Sequence, residues 1–355
     1  MILKKLVLKD FRSYKEKEIT FSDKVNIIVG KNAQGKTNIL EAIFFLCIGK
    51  SFRTPREKEV INWTAGENSG YINGEFAKKY RDIQIEMFFN KDRKKAVKID
   101  GIGIKKIGEL LGSVNVVFFS PDELRLVKES PDERRRFMNV ILSQTNKRYF
   151  YQVARYEKVL ANRNKLLKTS KDINVLKETI DIWNRALSDI AQNIYNERKK
   201  LIDELTPFAK KAHEYLSSGE KIDIVYKSSF DGENYAEKMM KGLERNLEKD
   251  FKLGYTTLGI HRDEIDIYLD GMEVKSYGSQ GQQRTTALSL KLAELEIIKN
   301  RVGEEPILLL DDVFSELDAT RRAKLLKFTA KAQTIITTTD LSKDFTDYNI
   351  IKIGK

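Results

Sequence analysis

The sequence predicts an α/β protein: a phosphate-binding head with mixed sheets, interrupted by an inserted helical arm. Three observations predict it. A strand-length apolar run, Val25 to Val29, leads into Gly30-Lys31-Asn32-Ala33-Gln34-Gly35-Lys36-Thr37 and then into a helical pattern over 38–46. A second apolar run, Ile307 to Leu310, ends in the carboxylate pair Asp311 and Asp312, about 270 residues later. Between the two lies helix-period sequence that carries most of the chain's excess positive charge.

The composition allows this and removes other classes. Of 355 residues, 41% are apolar and only 5 are Pro, so the chain can bury a core and is not globally disordered. Lys and Arg number 64 against 52 Asp and Glu, a net charge of +12, and the pI is about 9.3. That balance is the one expected of a nucleic-acid binder, although solubility alone would also produce it. The apolar stretch 39–48 is broken by Glu41 and is about half the roughly 20 residues a membrane helix needs. The opening segment MILKKLVLKD mixes apolar and charged residues, which suits an edge strand and not a secretory signal. The expectation is a cytoplasmic protein without a membrane partner. A single Cys47 excludes an intrachain disulfide and reads as core packing, and Trp63 and Trp183 read as packed in head and arm.

Within the head, Ile83 to Phe89 and Val114 to Phe119 have strand length and β-branched or aromatic content. The arm is expected over 121–244. From Arg134 to Lys168 there are ten basic residues against one acidic, Glu157. Apolar positions at Phe137, Val140 and Ile141, and at Val153, Tyr156, Leu160 and Leu167, recur at helical spacing, giving one long helix or two abutting ones. After the polar segment 169–172, Leu176, Ile180, Trp183, Leu187, Ile190, Ile194, Leu201 and Leu205 form a seam of coiled-coil type. A short connection between such helices predicts an antiparallel hairpin with arms of about 45 Å, and Pro207 predicts the end of the second helix. A plain helical subdomain with solvated basic faces fits the same pattern. Residues 221–226 and 265–269 alternate as strands, with a turn at Asp270-Gly271, then a helix over 285–299. On this reading 1–120 and 245–355 form one head.

The residues 30–37 match G-x-x-x-x-G-K-[ST] in its required strand-to-helix context. Glycines let backbone N–H groups wrap a phosphate, Lys36 reaches the β and γ phosphates, and the Thr37 hydroxyl ligates Mg²⁺. Asp311 is the matching carboxylate for Mg²⁺, and Asp312 the group that orients an attacking water. Ser279-Gln280-Gly281-Gln282, ahead of the 285–299 helix, forms either a second anion-binding edge or an ordinary capping turn. A chain with one phosphate loop and one such edge can complete its sites by pairing with a second copy. Ser315-Glu316-Leu317-Asp318 reads as a helix start. For the arm, Arg134, Arg135, Arg136, Lys147, Arg148, Arg155, Lys158, Arg163 and Lys165 are the candidate phosphate contacts on DNA. Phe137, Tyr149, Phe150, Tyr151 and Tyr156 are candidates for base stacking or core. With two histidines, His213 and His261, a multi-histidine metal site is unlikely to form, and His261 reads as a satisfied loop residue or a contact to DNA or a partner.

The ordered set FRSY (11–14), GKNAQGKT (30–37), SPDE…SPDERRRF (120–137), GIHRDE (259–264), GSQGQQRT (278–285), LLLDDVFSELD (308–318) and TTTD (337–340) resembles the RecF family of ABC-type ATPases related to SMC proteins. The resemblance implies an ABC-type ATPase head, with ATP and Mg²⁺ on Lys36, Thr37 and Asp311 and with Arg12 near the nucleotide. It implies that Ser279, Gly281 and Gln282 act as the signature motif on a partner's ATP, that Ser315–Asp318 is the D-loop, and that Thr339 stands at the switch position. Asp312 stands where ABC proteins carry a catalytic Glu, which predicts slow hydrolysis. The family further implies an ATP-dependent homodimer on single-stranded, double-stranded or gapped DNA. It also implies partners RecR and RecO, recombinase loading in repair and replication restart, and the SOS response. A transporter ATPase subunit, an SMC-like tether and a nuclease-linked ATPase share the phosphate loop. The basic arm, its short length and the lack of a second metal cluster argue against each in turn.

Overall fold

A computed structural model describes residues 1–64, 66, 68–217, 219–339 and 348–354, with Glu316 described by its backbone; Asp340 of the TTTD motif lies outside the described residues. In chain order the elements are β1 (Ile2–Phe11), β2 (Tyr14–Thr20), β3 (Val25–Val29), α1 (Lys36–Ile48), β4 (Ser69–Ala77), β5 (Ile83–Asn90), β6 (Ala96–Ile99), β7 (Ile102–Gly103), β8 (Val116–Phe119), α2 (Arg125–Lys128), α3 (Pro131–Thr145) and α4 (Lys147–Thr169). They continue with α5 (Ile173–Leu216), β9 (Ile222–Lys227), α6 (Tyr235–Arg245), α7 (Leu247–Leu253), β10 (Glu264–Leu269), β11 (Met272–Glu273), α8 (Val274–Tyr277), α9 (Gln280–Val302), β12 (Ile307–Asp311), α10 (Ala319–Phe328), β13 (Thr334–Thr338) and β14 (Asn349–Lys352). Two compact units divide them: Met1–Glu123, Tyr215–Ser218 and Ala287–Lys355 in the head unit, Leu124–Glu214 and Gly219–Thr286 in the helical unit.

The head unit has two sheets. One is antiparallel, in the order β2-β1-β4-β5-β6-β7, and the other is parallel, in the order β14-β3-β13-β12-β8. β1 is therefore paired on both sides and is not the edge strand its charged sequence predicts. Its apolar set Leu3, Leu6, Leu8 and Phe11 is wholly buried, with a register shift between Leu3 and Lys5 that keeps Leu6 inward. α1 is apolar nearly all round, and Ile39 through Cys47 are buried. Such a helix needs cover on every side. Its core cluster combines Leu6, Leu8, Ile72, Ile85 and Phe89 of the antiparallel sheet with Ile28, Val116, Leu309 and Ile335 of the parallel one. Trp63, expected in this core, is 91% exposed. Val60 and Ile61 fill the core instead, and the Asn62 N–H bond to Asp10 O at 2.8 Å turns the chain outward just before it.

In the helical unit the basic segment forms two abutting helices, α3 and α4. α4 packs antiparallel to α5. Arg198 donates to the Tyr149 hydroxyl at 3.0 Å and Arg163 to Asn184 Oδ1 at 2.8 Å, so fourteen residues forward in α4 is fourteen back in α5. The seam residues Leu176, Ile180, Leu187, Ile190, Ile194, Leu201 and Leu205 are buried, and Trp183 is half-buried. α5 runs 44 residues, straight through Pro207. The apolar face continues beyond the proline with Ala209, Ala212 and Leu216, all buried, and that packing outweighs the missing N–H.

The second segment of the head resumes at 287 and not at 245, because 245–286 is stitched to the arm. β10 pairs antiparallel with β9, and β11 follows through the predicted turn, where Asp270 and Gly271 both have positive φ. Asp250 takes a hydrogen bond from Arg163 at 2.8 Å, Thr256 N–H donates to Asn164 at 2.8 Å, and Asp263 takes one from Arg198 at 2.8 Å.

Breaking a buried ion pair leaves an uncompensated charge. Arg163→Ala is expected to lower the unfolding free energy by about 3–5 kcal/mol, against about 0.5 kcal/mol or less for the exposed Arg155→Ala, read by denaturant titration. His261 supplies a pH test. Tyr156 OH is 2.9 Å from Nδ1 and Thr256 O is 3.0 Å from Nε2, so the ring is held neutral, and burial drives its pKa from 6.5 down to about 4. Its contribution is complete above pH 6.5 and lost as pH falls through 4. His261→Gln should flatten the stability profile across that window, seen in unfolding midpoints at stepped pH.

Candidate functional site

The phosphate loop emerges from the carboxyl end of β3 and closes on the first turn of α1. Gly35 caps α1 with φ +94°, and a Cβ there would meet Ser13 Oγ at 2.6 Å and the Tyr14 hydroxyl at 2.8 Å. Glycine is required twice over, by backbone conformation and by the close approach of the β1–β2 turn. No side chain caps α1, so its first N–H groups keep no side-chain acceptor. The Lys36 ammonium, largely buried, donates to Gly30 O at 2.7 Å and Lys31 O at 3.1 Å. Gln34 accepts from Lys31 N–H at 2.7 Å and braces the loop from within, with Asn32 and Ala33 at its exposed tip.

Asp311 ends β12, two strands from β3 in the parallel sheet. One carboxylate oxygen, Oδ1, accepts from Thr37 Oγ1 at 3.0 Å and from Thr337 Oγ1 at 2.7 Å. Burial raises its pKa, and the two hydroxyls oppose that shift. The Thr337 hydroxyl also accepts from the Asp312 N–H at 2.9 Å, while Asp312 sits in the left-handed region at φ +53°. The sequence points to Thr339 beside this site; Thr337, two residues earlier and still on β13, is the residue that reaches Asp311. Thr37 and Asp311 present the hard oxygens that Mg²⁺ takes, with the remaining ligands left to phosphate and water. Among the described residues no group of three His, Cys, Asp or Glu side chains is placed to hold a metal ion. The residues present therefore fit Mg-nucleotide and not a free-standing metal centre.

Arg12 lies at the second turn of α1. It makes two bonds, at 2.9 and 2.6 Å, to the carboxylate of Glu41, which has no exposed surface, and a third to Glu59 O at 2.7 Å. Ser51 Oγ also donates to Glu41. Arg53 reaches the same place, bonding Asn38 Oδ1 at 2.8 Å and lying 3.8 Å from Glu41. Sequence alone assigns no site role to Glu41 or Arg53, and Thr337 enters only as part of TTTD. A carboxylate in the middle of the apolar run 39–48 was the signal for the first.

The Ser279 turn is a reciprocal cap on α9. Ser279 Oγ accepts from Gln282 N–H at 3.2 Å, and Gln282 Oε1 accepts from Ser279 N–H at 2.8 Å. Gly281 stands in the open, with Ser279 Oγ at 4.0 Å as the nearest atom its Cβ would meet. Asp318 caps α10, accepting from Arg321 N–H at 2.8 Å, and that contact lowers its pKa.

Two of the nine basic residues expected on DNA are internal. Arg163 has no exposed surface and is tied to Asn184, Asp250 and Thr256. Arg134 is 3% exposed and makes a double contact with Glu264 at 2.5 and 2.7 Å. Arg135 is mostly covered and bonds Asp263 O at 2.7 Å. Arg136, Lys147, Arg148, Arg155, Lys158 and Lys165 are exposed. On α4 the last four follow one another at seven, three and seven residues, which keeps them on one side of the helix. Of the five aromatic candidates, Phe137, Tyr149 and Tyr156 are core, and Tyr151 is 40% exposed. Among the described residues no helix is long and apolar enough to cross a membrane.

Comparison with known proteins shows the family. Residues 2–346 match the family model of the RecF/RecN/SMC N-terminal domain. The DNA replication and repair protein RecF of Clostridium perfringens is 45% identical over 98% of this chain and 95% of its own length. That of Alkaliphilus oremlandii is 42% identical over 96% and 93%. A solved structure of the recombination mediator protein RecF with ATP, of the RecFOR pathway, is 34% identical, covers 99% of this chain and 95% of that one, and superposes with a TM-score of 0.90. An Smc head bound to the C-winged helix domain of ScpA shares the fold, at 18% identity over 96% and 90% and a TM-score of 0.57. With the phosphate loop, the Asp311 cluster and the Ser279 turn all in place along one full-length match, the chain belongs to the RecF family of SMC-related ABC-type ATPases.

Proposed function

We propose that the chain is an ATP-dependent DNA clamp of recombinational repair: two copies pair on Mg-ATP, hold DNA along their basic helices, and let go as ATP is slowly hydrolysed. The observation that carries this reading is the meeting of Thr37, Asp311 and Thr337 at the mouth of the glycine loop, 274 residues apart in sequence for the first two. Gly30–Thr37 would hold the phosphates. Lys36 would exchange the carbonyls of Gly30 and Lys31 for phosphate oxygens. Thr37 and Asp311 would hold Mg²⁺, which when bound supplies charge neutralisation on the phosphates. Asp312 would orient the attacking water and accept its proton on the carboxylate. Ser279, Gly281 and Gln282 would close over the partner copy's nucleotide, with Asp318 and Arg12 beside the paired sites.

DNA would lie along Arg148, Arg155, Lys158 and Lys165, with Arg136 and Lys147 adjoining. These are contacts to phosphates, so they serve duplex, single strand or gapped junction alike. Work with RecO and RecR in loading recombinase, in replication restart and in the SOS response belongs to the same proposal, supported by the RecFOR pathway of the ATP-bound relative.

Lys36→Ala should weaken nucleotide binding at least about 100-fold, read with a fluorescent ATP analogue. Asp312→Asn should keep nucleotide binding and ATP-dependent pairing yet slow turnover about 100-fold or more, by analogy with the loss of a general base. Normal turnover in Asp312→Asn would remove that carboxylate from the mechanism. For DNA, log affinity falls with log salt by about 0.9 per neutralised phosphate. Arg155→Ala/Lys158→Ala/Lys165→Ala should therefore reduce the slope by about 3, measured by anisotropy between low and physiological salt, and an unchanged slope would move the DNA off α4.

A further inference from the structure

The Ser279 turn is held from outside its own helix. Gln282 spends Oε1 on the Ser279 N–H and donates through Nε2 to Glu220 Oε1 at 2.8 Å. With its oxygen facing an N–H and its nitrogen facing a carboxylate, the amide can stand only this way round. Glu220 lies between α5 and β9. Its second oxygen, Oε2, is 3.5 Å from Nε2 of His213, a fully buried residue near the end of α5. One carboxylate thus spans the cap of α9 and the last turns of the longest helix in the chain.

We propose that Glu220 is a positioning residue for the signature turn. It keeps the Gln282 amide in place against Ser279, with its second oxygen beside the end of α5. The physical argument is the number of anchors. Gln282 has a flexible side chain whose one contact within the turn is to Ser279, and a single neutral hydrogen bond on a half-exposed side chain is worth little net. A hydrogen bond to a charged acceptor is stronger and shorter, and it holds the amide at the far end. Remove it, and the Ser279 N–H must find water while the turn samples other conformations before a partner copy arrives. That loss falls on pairing and not on the phosphate loop, because none of these groups belongs to 30–37. The inference rests on the reading of Ser279–Gln282 as the edge that closes on a partner's ATP.

The test uses the full-length chain with Mg-ATP in sedimentation velocity, beside fluorescent nucleotide binding at concentrations too low for pairing. Glu220→Ala is expected to raise the midpoint of ATP-dependent pairing about tenfold while single-chain nucleotide binding stays within about twofold. Glu220→Gln retains an oxygen that accepts from Gln282 and should return pairing to within about threefold of the native chain. Ser279→Arg is the control on the parent reading. If Ser279→Arg abolishes pairing and Glu220→Ala pairs like the native chain, the role of Glu220 is overturned and the clamp stands. If Glu220→Ala loses nucleotide binding as well and Glu220→Gln restores neither, Glu220 is merely structural and the proposal is overturned. If Ser279→Arg pairs like the native chain, the signature reading fails and takes this inference with it.

Discussion

The burial of α1 on every side from Ile39 to Cys47 is the constraint on which the rest of the head depends. A helix with apolar residues on every side gains nothing from one sheet alone, since half its surface would stay in water. The antiparallel sheet covers one side and the parallel sheet the other, in a single cluster that runs from Leu6 and Ile85 to Leu309 and Ile335. Because β3 feeds directly into α1, that sandwich fixes where the connecting loop must emerge. It emerges at the carboxyl ends of β3, β13 and β12, the crevice in which parallel sheets bind ligands. Asp311 and Thr337 arrive at the same crevice from their own strands. The one carboxylate inside α1, Glu41, is desolvated and would be costly alone. Arg12, Ser51 and Arg53 converge on it, and Arg12 brings with it the β1–β2 turn whose Ser13 and Tyr14 crowd Gly35. A structural ion pair and a phosphate loop are thus one assembly.

The helical unit repeats the logic with arginine as the buried partner. Arg163 meets Asp250, and Arg198 meets Asp263, each pair wholly or nearly wholly inside. Each arginine also has neutral partners, Asn184 and Thr256 for the first, Tyr149 and Asn139 for the second. Arginine suits this because its fork offers several donors in fixed directions. The consequence for function is a division of labour within one basic segment. Arginines facing α5 and the 250–263 segment build the scaffold, and the lysines and arginines on the other side of α4 are exposed. The net charge of the segment overstates what a partner can touch.

What the sequence made legible was local. The glycine loop, the apolar strand before Asp311 and the leucine seam are patterns whose meaning is carried by near neighbours, and all three stand in the structure as expected. The failures came where distant residues decide. Arg163 is seven residues past Tyr156, which is seven past Tyr149, so its place on the buried face was written in the spacing. Its charge outweighed that signal because the acceptor, Asp250, is 87 residues away. Arg134 hid in the same way beside Phe137, Met138 and Ile141. A return to the head at 245 separates β9 from β10, and only their mutual pairing shows that the two strands belong together. Pro207 and Trp63 were judged by residue type, and packing on either side decided both.

The carboxylate at 312 shows how such a constraint can set chemistry. Asp312 has φ +53°, the left-handed region, and its N–H is held there by the Thr337 hydroxyl that also bonds Asp311. Asp and Asn enter that region several times more readily than longer side chains, because a short polar group can satisfy nearby backbone. A Glu would carry its carboxylate one methylene further but sit less comfortably on this backbone. The turn that follows is tight as well, with Ser315 Oγ donating to Asp312 O at 2.6 Å. A shorter carboxylate is therefore the companion of a firmly seated backbone. The residue type proposed to hold the attacking water is thus also the one that suits the left-handed backbone leading into Asp318.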